Sequence, residues 1–595
     1  MAKPWAVFLT WNELFDQSPT EEEVLEVIRN FNRESTVVLL SRVGIHLFLD
    51  RSHENASETI SLQGFLISNF LDREVLNRWK ERMPTARIDF RRAFHPQQIL
   101  TALKLAIVNA LPIGGLEPDK DEHARFALGR CLLKTSDLLM SEQMATQMAR
   151  DRKNPLSSKK YLRIQLAVGA GHEVFNPPPV PSGIVRSKII FEEIIKGTPV
   201  PIDLNNQLKQ QAGISLDSYV DLTLGALAAY LGKTPKQFIA DAGLAVVNPR
   251  TFFGSSVPVE TTERFWKMES STIAEFANKL VAPSELVPQN DFTAFRMKPF
   301  LQLASGSLIC PNPGFIQEKL EIGLFWTIVN NLQGEDRQKA FETWGTLFEA
   351  YVNQTFEAMV NPAVEKYVAC PDFKEKKHHH EAFDGILLSG RVCAAVECKG
   401  GFLPNSAKYA DDLDQFVKSL EKKFGTESGA GVEQLARKIS QVFAANLKER
   451  RELEGIDLSP IDIVVPVLVV QDNFVSSMFT VPWLARSFRD LMRKKSIDRK
   501  VVWTSLLVLH VEDVESIQTY IKTGDFSVGE CLLHAGKCGD PGSGQRLFDF
   551  SDLFREFLTE KNIQAVKAGA DKRFDEIFNR VTLRLFNREF EPLSP

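Results

Sequence analysis

Two stretches in the last third of the chain constrain its fold most. Residues 461–470 and 501–511 are almost wholly apolar, rich in valine, isoleucine and leucine, and of strand length, and residues 482–494 between them have helical spacing. Upstream, 337–360 repeats apolar residues at helical steps, and three short strand-like runs follow at 364–369, 382–388 and 392–399. A polar helical stretch, 407–451, broken by Gly425 and again at 429–431, leads into the first apolar run. Helix, three strands, helix, strand, helix, strand is the order of an α/β domain.

The chain has 595 residues, enough for about three to five domains. We expect an α/β multidomain protein: an N-terminal α/β domain over 1–115, a mostly helical middle region over 116–320, the α/β domain over 321–525 and a C-terminal helical segment over 526–595. In the first of these, 6–11 and 36–49 are rich in β-branched and aromatic residues, 21–31 follows a plausible cap at 18–20, and 96–111 reads as an apolar helix. In the second, 121–148 and 216–231 have helical spacing, and the proline-rich run 175–183 reads as an extended, exposed joint. With 44% apolar and 25% charged residues the composition is that of a soluble globular protein, which excludes collagen-like, disulfide-framework and wholly disordered classes. No apolar run approaches bilayer length, and the apolar stretch at 6–11 is too short for a signal-peptide core, so a cytoplasmic protein without membrane contact is expected. Seven scattered cysteines suit free thiols in a reducing compartment. A net charge of −5 means that any contact with nucleic acid must come from local basic patches.

One constellation carries chemistry. Asp384 lies in the apolar run 382–388, and Glu397 and Lys399 end the next one. Strand side chains alternate faces, so Glu397 and Lys399 point one way and Val396 and Cys398 the other. A buried strand that ends in two charges on one face needs a reason, because burying unpaired charge is costly. A hairpin would bring Asp384 to the same spot. Two converging carboxylates suit a hard divalent ion, since Mg²⁺ is held by one or two carboxylates, waters and substrate phosphates. A lysine beside it can hold a water and steady developing negative charge. The plain alternative is a salt-bridged strand end, Glu397 with Lys399 or Lys408.

Asp384 followed by Glu397-Cys398-Lys399 on consecutive strands between helices resembles the PD-(D/E)XK nuclease superfamily, over about 190 residues. The resemblance implies a restriction-endonuclease-like α/β core with a mixed central sheet and Mg²⁺-dependent hydrolysis of DNA, with Mn²⁺ able to substitute. It assigns the metal to Asp384, Glu397 and the Cys398 carbonyl, and the orienting of water to Lys399. The upstream helix carries Gly345 and Glu349 one turn apart, and family members often use such a glutamate at the metal site. Gln434 and Lys438, one turn apart downstream, match a family glutamine motif by position and type, although the insert 402–431 is unusually long and Phe383 stands where many members have proline. The layout is similar to restriction or phage-defence effectors, with the N-terminal half in a recognition or regulatory role and a homo-oligomer or a partner protein from the same system allowed for. The alternative is a nuclease-fold protein that no longer cuts and serves as a nucleic-acid-binding or scaffolding subunit.

Lesser signals have blander readings. Basic clusters at 150–163, 486–500 and 78–92 are solvated faces unless they track phosphates. His378, His379 and His380 alternate direction on a strand and so do not all chelate one ion; they read as a basic hairpin edge near the substrate or as plain solvent exposure. Cys531, His534 and Cys538 hint at zinc spacing, with buried thiols as the expected outcome. His510 reads as a satisfied strand-end histidine. No Walker loop, dinucleotide fingerprint or nucleophile-elbow motif is present.

Overall fold

The computed structural model describes residues 7–586 except 51–55, 83–90, 140–157, 176–179, 232, 255–256, 282–289, 376–377, 411, 428, 445–452, 454–455, 522–525, 540–548 and 564–571. The architecture is mixed α/β, and no helix among the described residues is long and apolar enough to cross a membrane.

The N-terminal half is more helical than its sequence suggests. Residues 36–49, rich in β-branched side chains, lie within the helix Arg33–Asp50 and not in a strand. Asn32 accepts the Ser35 N–H at the start of that helix, and nearly every residue from Val37 to Leu49 is buried. An apolar run of this kind does not distinguish a strand from a helix buried on all sides. Among the described residues of 1–115, the strand content is a two-residue parallel pair, Val7–Phe8 with Arg91–Arg92. The helices Glu21–Ile28 (capped by Thr20), Pro96–Asn109 and Leu216–Leu231 form where expected, and 121–148 gives Glu122–Leu139. The joint at 175–183 is not an extended loop as far as it is described, because Val180–Lys188 is helical. A small four-stranded sheet, Val246–Val247, Leu308–Ile309, Phe300–Gln302 and Ser270–Thr272, also lies in the middle region.

The C-terminal α/β region follows the expected order. Helix α1 is Gly334–Met359, and the strands are β1 Glu365–Ala369, β2 Gly385–Ser389, β3 Val392–Lys399, β4 Ile463–Val470, β5 Val502–Trp503 and β6 Leu507–His510. Helices α2 (Gly431–Val442) and α3 (Val481–Met492) follow β3 and β4, and α4 (Val511–Ile521) follows β6. The order across the sheet is β5-β4-β3-β2-β1, with β6 also on β4. β1, β2 and β3 form an antiparallel meander, and β3, β4, β5 and β6 run parallel, so the sheet is mixed. The single run expected at 501–511 is divided between β5 and β6.

Alternation sorts the side chains onto two cores. Leu387, Ala394, Val396, Cys398, Val467 and Val469 pack with Trp344, Leu347 and Phe348 of α1. Ile386, Cys393, Ala395, Val464 and Leu468 pack with Leu435 and Ile439 of α2 and Leu484 and Phe488 of α3. Glu397 and Lys399 share the parity of Cys393 and Ala395, so they turn toward α2. The segment Asp525 onward is helical where described: Val528–Cys538, Phe550–Glu560 and Lys572–Phe586.

Candidate active site

Asp384 sits just ahead of β2, where its carbonyl accepts the Cys370 N–H at 2.9 Å. The register pairs Gly385 with Val396, so the hairpin delivers Asp384 beside the end of β3. Glycine is needed at 385 because a Cβ there would meet the Tyr367 hydroxyl at 1.9 Å. The Cys398 N–H donates to Asp384 Oδ2 at 2.7 Å, which fixes the carboxylate against the strand. Glu397 is fully buried, and its Oε1 accepts from Lys399 Nζ at 2.8 Å. Lys399 also donates to Gln434 Oε1 at 3.0 Å.

Helix α2 closes the site. Its first residue, Gly431, has φ +52° and lies so close to the Phe424 carbonyl that a Cβ would be 2.2 Å from the oxygen. The long insert thus ends with a contact that seats α2 on the sheet. One turn apart on that helix, Gln434 reaches Lys399 and Lys438 reaches three acids: Glu381 at 3.0 Å, Asp384 at 3.4 Å and Glu397 at 3.1 Å.

The structure therefore brings Asp384, Glu397, Lys399 and Gln434 together. Glu349 stands at the margin: Cys370 Sγ donates to its Oε1 at 3.1 Å, and it feels Glu381, Glu397 and Lys399 electrostatically. Cys398 enters through its N–H. The sequence reading missed Glu381, whose signal was its place three residues before Asp384. It also gave Lys438 no acid partners. Lys408, weighed as a partner for Glu397, pairs instead with Asp472 at 2.9 Å and Glu173 at 3.4 Å.

The electrostatics follow from burial. Desolvation and the neighbouring Glu397 push the Asp384 carboxyl up to about 8, against the pull of Lys438. Burial likewise raises Glu349. Burial pulls the Lys438 ammonium down, but Glu397, Asp384 and Glu381 outweigh it and hold it above its ordinary value. The cluster is buried on one side only: Glu397 is 0% exposed, whereas Lys399 is 24% and Glu381 53% exposed.

Among the described residues no group of three or more His, Cys, Asp or Glu side chains is arranged to hold a metal ion. Asp384 Oδ1 and Glu397 Oε2 nevertheless aim at one point, and a cation, the Lys438 ammonium, stands there. Two carboxylate oxygens around one positive centre fit the donor set of a hydrated divalent ion, which would have to displace that ammonium.

The lesser motifs resolve plainly. His510 Nε2 lies 2.9 Å from the Gln471 carbonyl, and burial pulls its pKa down to about 4. Cys531 is buried, and Cys538 Sγ lies 3.7 Å from His534 Nε2. The histidine run forms the strand His378–Glu381, paired with Asp372–Glu375. Much of the basic cluster at 150–163 lies outside the described residues. Arg82 is paired with Asp16, and Arg486, Arg493, Lys494, Arg499 and Lys500 are exposed.

No family model matches the sequence, and neither the curated proteins nor the solved structures yield a match.

Proposed function

We propose that this protein is a metal-dependent nuclease that hydrolyses phosphodiester bonds in DNA, with a restriction-endonuclease-like core of the PD-(D/E)XK type and an N-terminal half that recognises or regulates. The observation that carries the reading is the meeting of Asp384, Glu397, Lys399 and Gln434, residues up to 50 positions apart in sequence, at the end of one strand. The order of α1, the antiparallel meander β1–β3, α2 and the parallel β4 supports it.

Asp384 and Glu397 would hold the ion, Mg²⁺ or Mn²⁺, together with the Cys398 carbonyl. When bound, the ion neutralises the scissile phosphate and lowers the pKa of a coordinated water. Lys399 has the geometry of a water-positioning group, because Glu397 and Gln434 fix its ammonium from two sides. The water oxygen forms the new bond to phosphorus, the ester P–O bond breaks, and the departing oxygen takes up a proton while the water loses one. Glu349, half-buried and facing the same acids, supports the site from α1. A role in restriction or anti-phage defence, in the cytoplasm and with a partner from the same system, rests on the similarity of layout alone.

Lys438 favours a second reading. Its ammonium already satisfies both carboxylates, as it would in a nuclease fold that binds nucleic acid without cutting it. Cleavage of plasmid, single-stranded DNA and RNA in Mg²⁺ or Mn²⁺ separates the two. We expect wild type to cut DNA, EDTA to abolish cutting, and Lys399→Ala and Glu397→Gln to reduce it by about 100-fold or more. Cleavage that survives Lys399→Ala overturns the site assignment. Wild type that binds DNA and cuts none of the substrates supports the scaffold.

A further inference from the structure

A cavity of about 1310 Å³ lies between the middle region, the start of the α/β region and the loop that leaves β3, and its wall includes none of the residues of the acidic site. It sits beyond the carboxyl ends of the parallel strands β4 and β6, with Gln471 and His510 in its wall.

The charges on the wall are unevenly satisfied. All five carboxylates are held from within: Arg296 pairs with Glu173 and Glu318, Lys408 with Glu173 and Asp472, and Arg186 with Glu321 and Glu512. Five cations are not. Among the described residues, Arg264, Lys267, Lys298, Arg337 and Lys423 have no carboxylate within 4 Å. Arg264 donates to the Gly213 carbonyl, Lys298 to those of Lys267 and Ser270, and Lys423 to that of Phe402. Desolvation lowers the pKa of Lys298 and Lys423, outweighing the pull of Glu275 and Glu269 on the first and of Asp472 on the second. The chain as a whole is acidic, at −5, so this positive wall is a local construction.

Partly exposed aromatic rings adjoin these cations. Trp326, Phe341 and Phe402 cluster with ring centroids 5.4–5.8 Å apart along the chain of contacts, and the Arg337 guanidinium lies 5.9 Å from the Phe341 centroid. Rings offer stacking surface to any base, and cations answer phosphates. The volume exceeds the roughly 300–1,000 Å³ of ordinary small-molecule sites, which leaves room for more than one nucleotide unit.

We propose that this cavity binds a nucleotide-type ligand with at least two phosphates, at a site separate from the acidic cluster. The inference stands on the cavity wall and goes beyond the nuclease reading. The loop 400–403 joins this wall to the strand that carries Glu397 and Lys399. Phe402 and Leu403 follow Lys399 by three and four residues, the Gly400 carbonyl accepts the Trp344 indole N–H at 2.9 Å, and the Leu403 N–H donates to Asp472 at 2.7 Å.

The test is binding to the full chain in EDTA, so that no cleavage enters the readout. The probes are ATP, the 5′-phosphorylated dinucleotide pApA and a 5′-phosphorylated single-stranded dA12, followed by tryptophan fluorescence and calorimetry. At least one should bind, and Lys267→Ala/Arg337→Ala should weaken it by about tenfold or more. Both side chains are at least partly exposed, and Lys267→Glu provides a second variant if the double one unfolds. Binding of ATP or pApA identifies a free nucleotide as the source, whereas binding of dA12 alone identifies a stretch of nucleic-acid strand. No binding of any probe, or binding that both variants leave unchanged, overturns the proposal. A protein that binds here but cuts nothing would defeat the nuclease reading and leave this one standing.

Discussion

Lys438 and Arg186 each stand among three carboxylates, yet the two clusters differ in access and in the cation itself. Arg186 is 3% exposed and pairs with Glu515 at 2.7 Å, Glu321 at 3.2 Å and Glu512 at 3.8 Å, and the Tyr351 hydroxyl donates to Glu515 at 2.7 Å. It ties the helix Val180–Lys188 to α4, positions 329 residues apart. Lys438 is also buried, but its partners open to solvent through Glu381 and Lys399. A guanidinium is permanently charged and planar, and it fixes several acceptors in one geometry; an ammonium is a compact point charge on a flexible stem, which a divalent ion can replace. Equal charge arithmetic thus gives a clamp in one place and, on the proposed reading, an exchangeable site in the other.

That contrast can be tested, beginning with its largest expected effect. Arg186→Ala leaves buried carboxylates without their cation and should cost about 3–5 kcal/mol in denaturant unfolding, with no recovery in Mg²⁺. Recovery in Mg²⁺ would make the two clusters equivalent and remove the distinction. Lys438→Ala should cost less, about 1–3 kcal/mol, because Glu381 reaches water and Glu397 keeps its pairing with Lys399. Here Mg²⁺ at about 100 times its Kd should restore roughly 2.7 kcal/mol, read as a rise in Tm absent from Arg186→Ala.

Asp384→Asn sharpens the electrostatic side. The native carboxyl, faced by Glu397, Glu381, Lys438 and Lys399, holds its proton up to about 8, above its unfolded value. The native state therefore binds more protons than the unfolded state, and this group's contribution to stability falls as pH rises through that window. In EDTA the stability advantage of Asp384→Asn over wild type, read from denaturant unfolding, should grow from pH 5 to pH 8, by less than about 1.4 kcal/mol per pH unit. A constant difference would show that Asp384 is ionised throughout. The smallest effect is expected for Tyr351→Phe, which removes one hydrogen bond of the clamp: about 1 kcal/mol of stability and, on the proposed nuclease reading, unchanged DNA cleavage.

Legibility in the sequence followed the range of the interaction. The strand β3 was readable to the residue because a period of two and eight positions suffice to define it. Within it, the shared face of Glu397 and Lys399 follows from the pleat, and the 2.8 Å contact shows it. Residues 36–49 misled because β-branched composition describes a buried surface, and here the burial is supplied by helices, with Gly44 packed so close to the Pro311 carbonyl that a Cβ would lie 2.0 Å from its oxygen. Glu381 was hidden because nothing local announces that a hairpin end will turn toward a lysine 57 residues later.

The sequence by itself determined the order of elements in the α/β region, the face on which Glu397 and Lys399 lie and the absence of bulk positive charge, since each depends on periodicity or composition over a few neighbouring residues. Tertiary structure alone decided which cation stands between Asp384 and Glu397, which carboxylates Arg186 gathers and where the basic cavity opens. Ion-pair partners are chosen by distances through space, and those are set only when β-strand registers and helix packing close segments that lie tens to hundreds of residues apart.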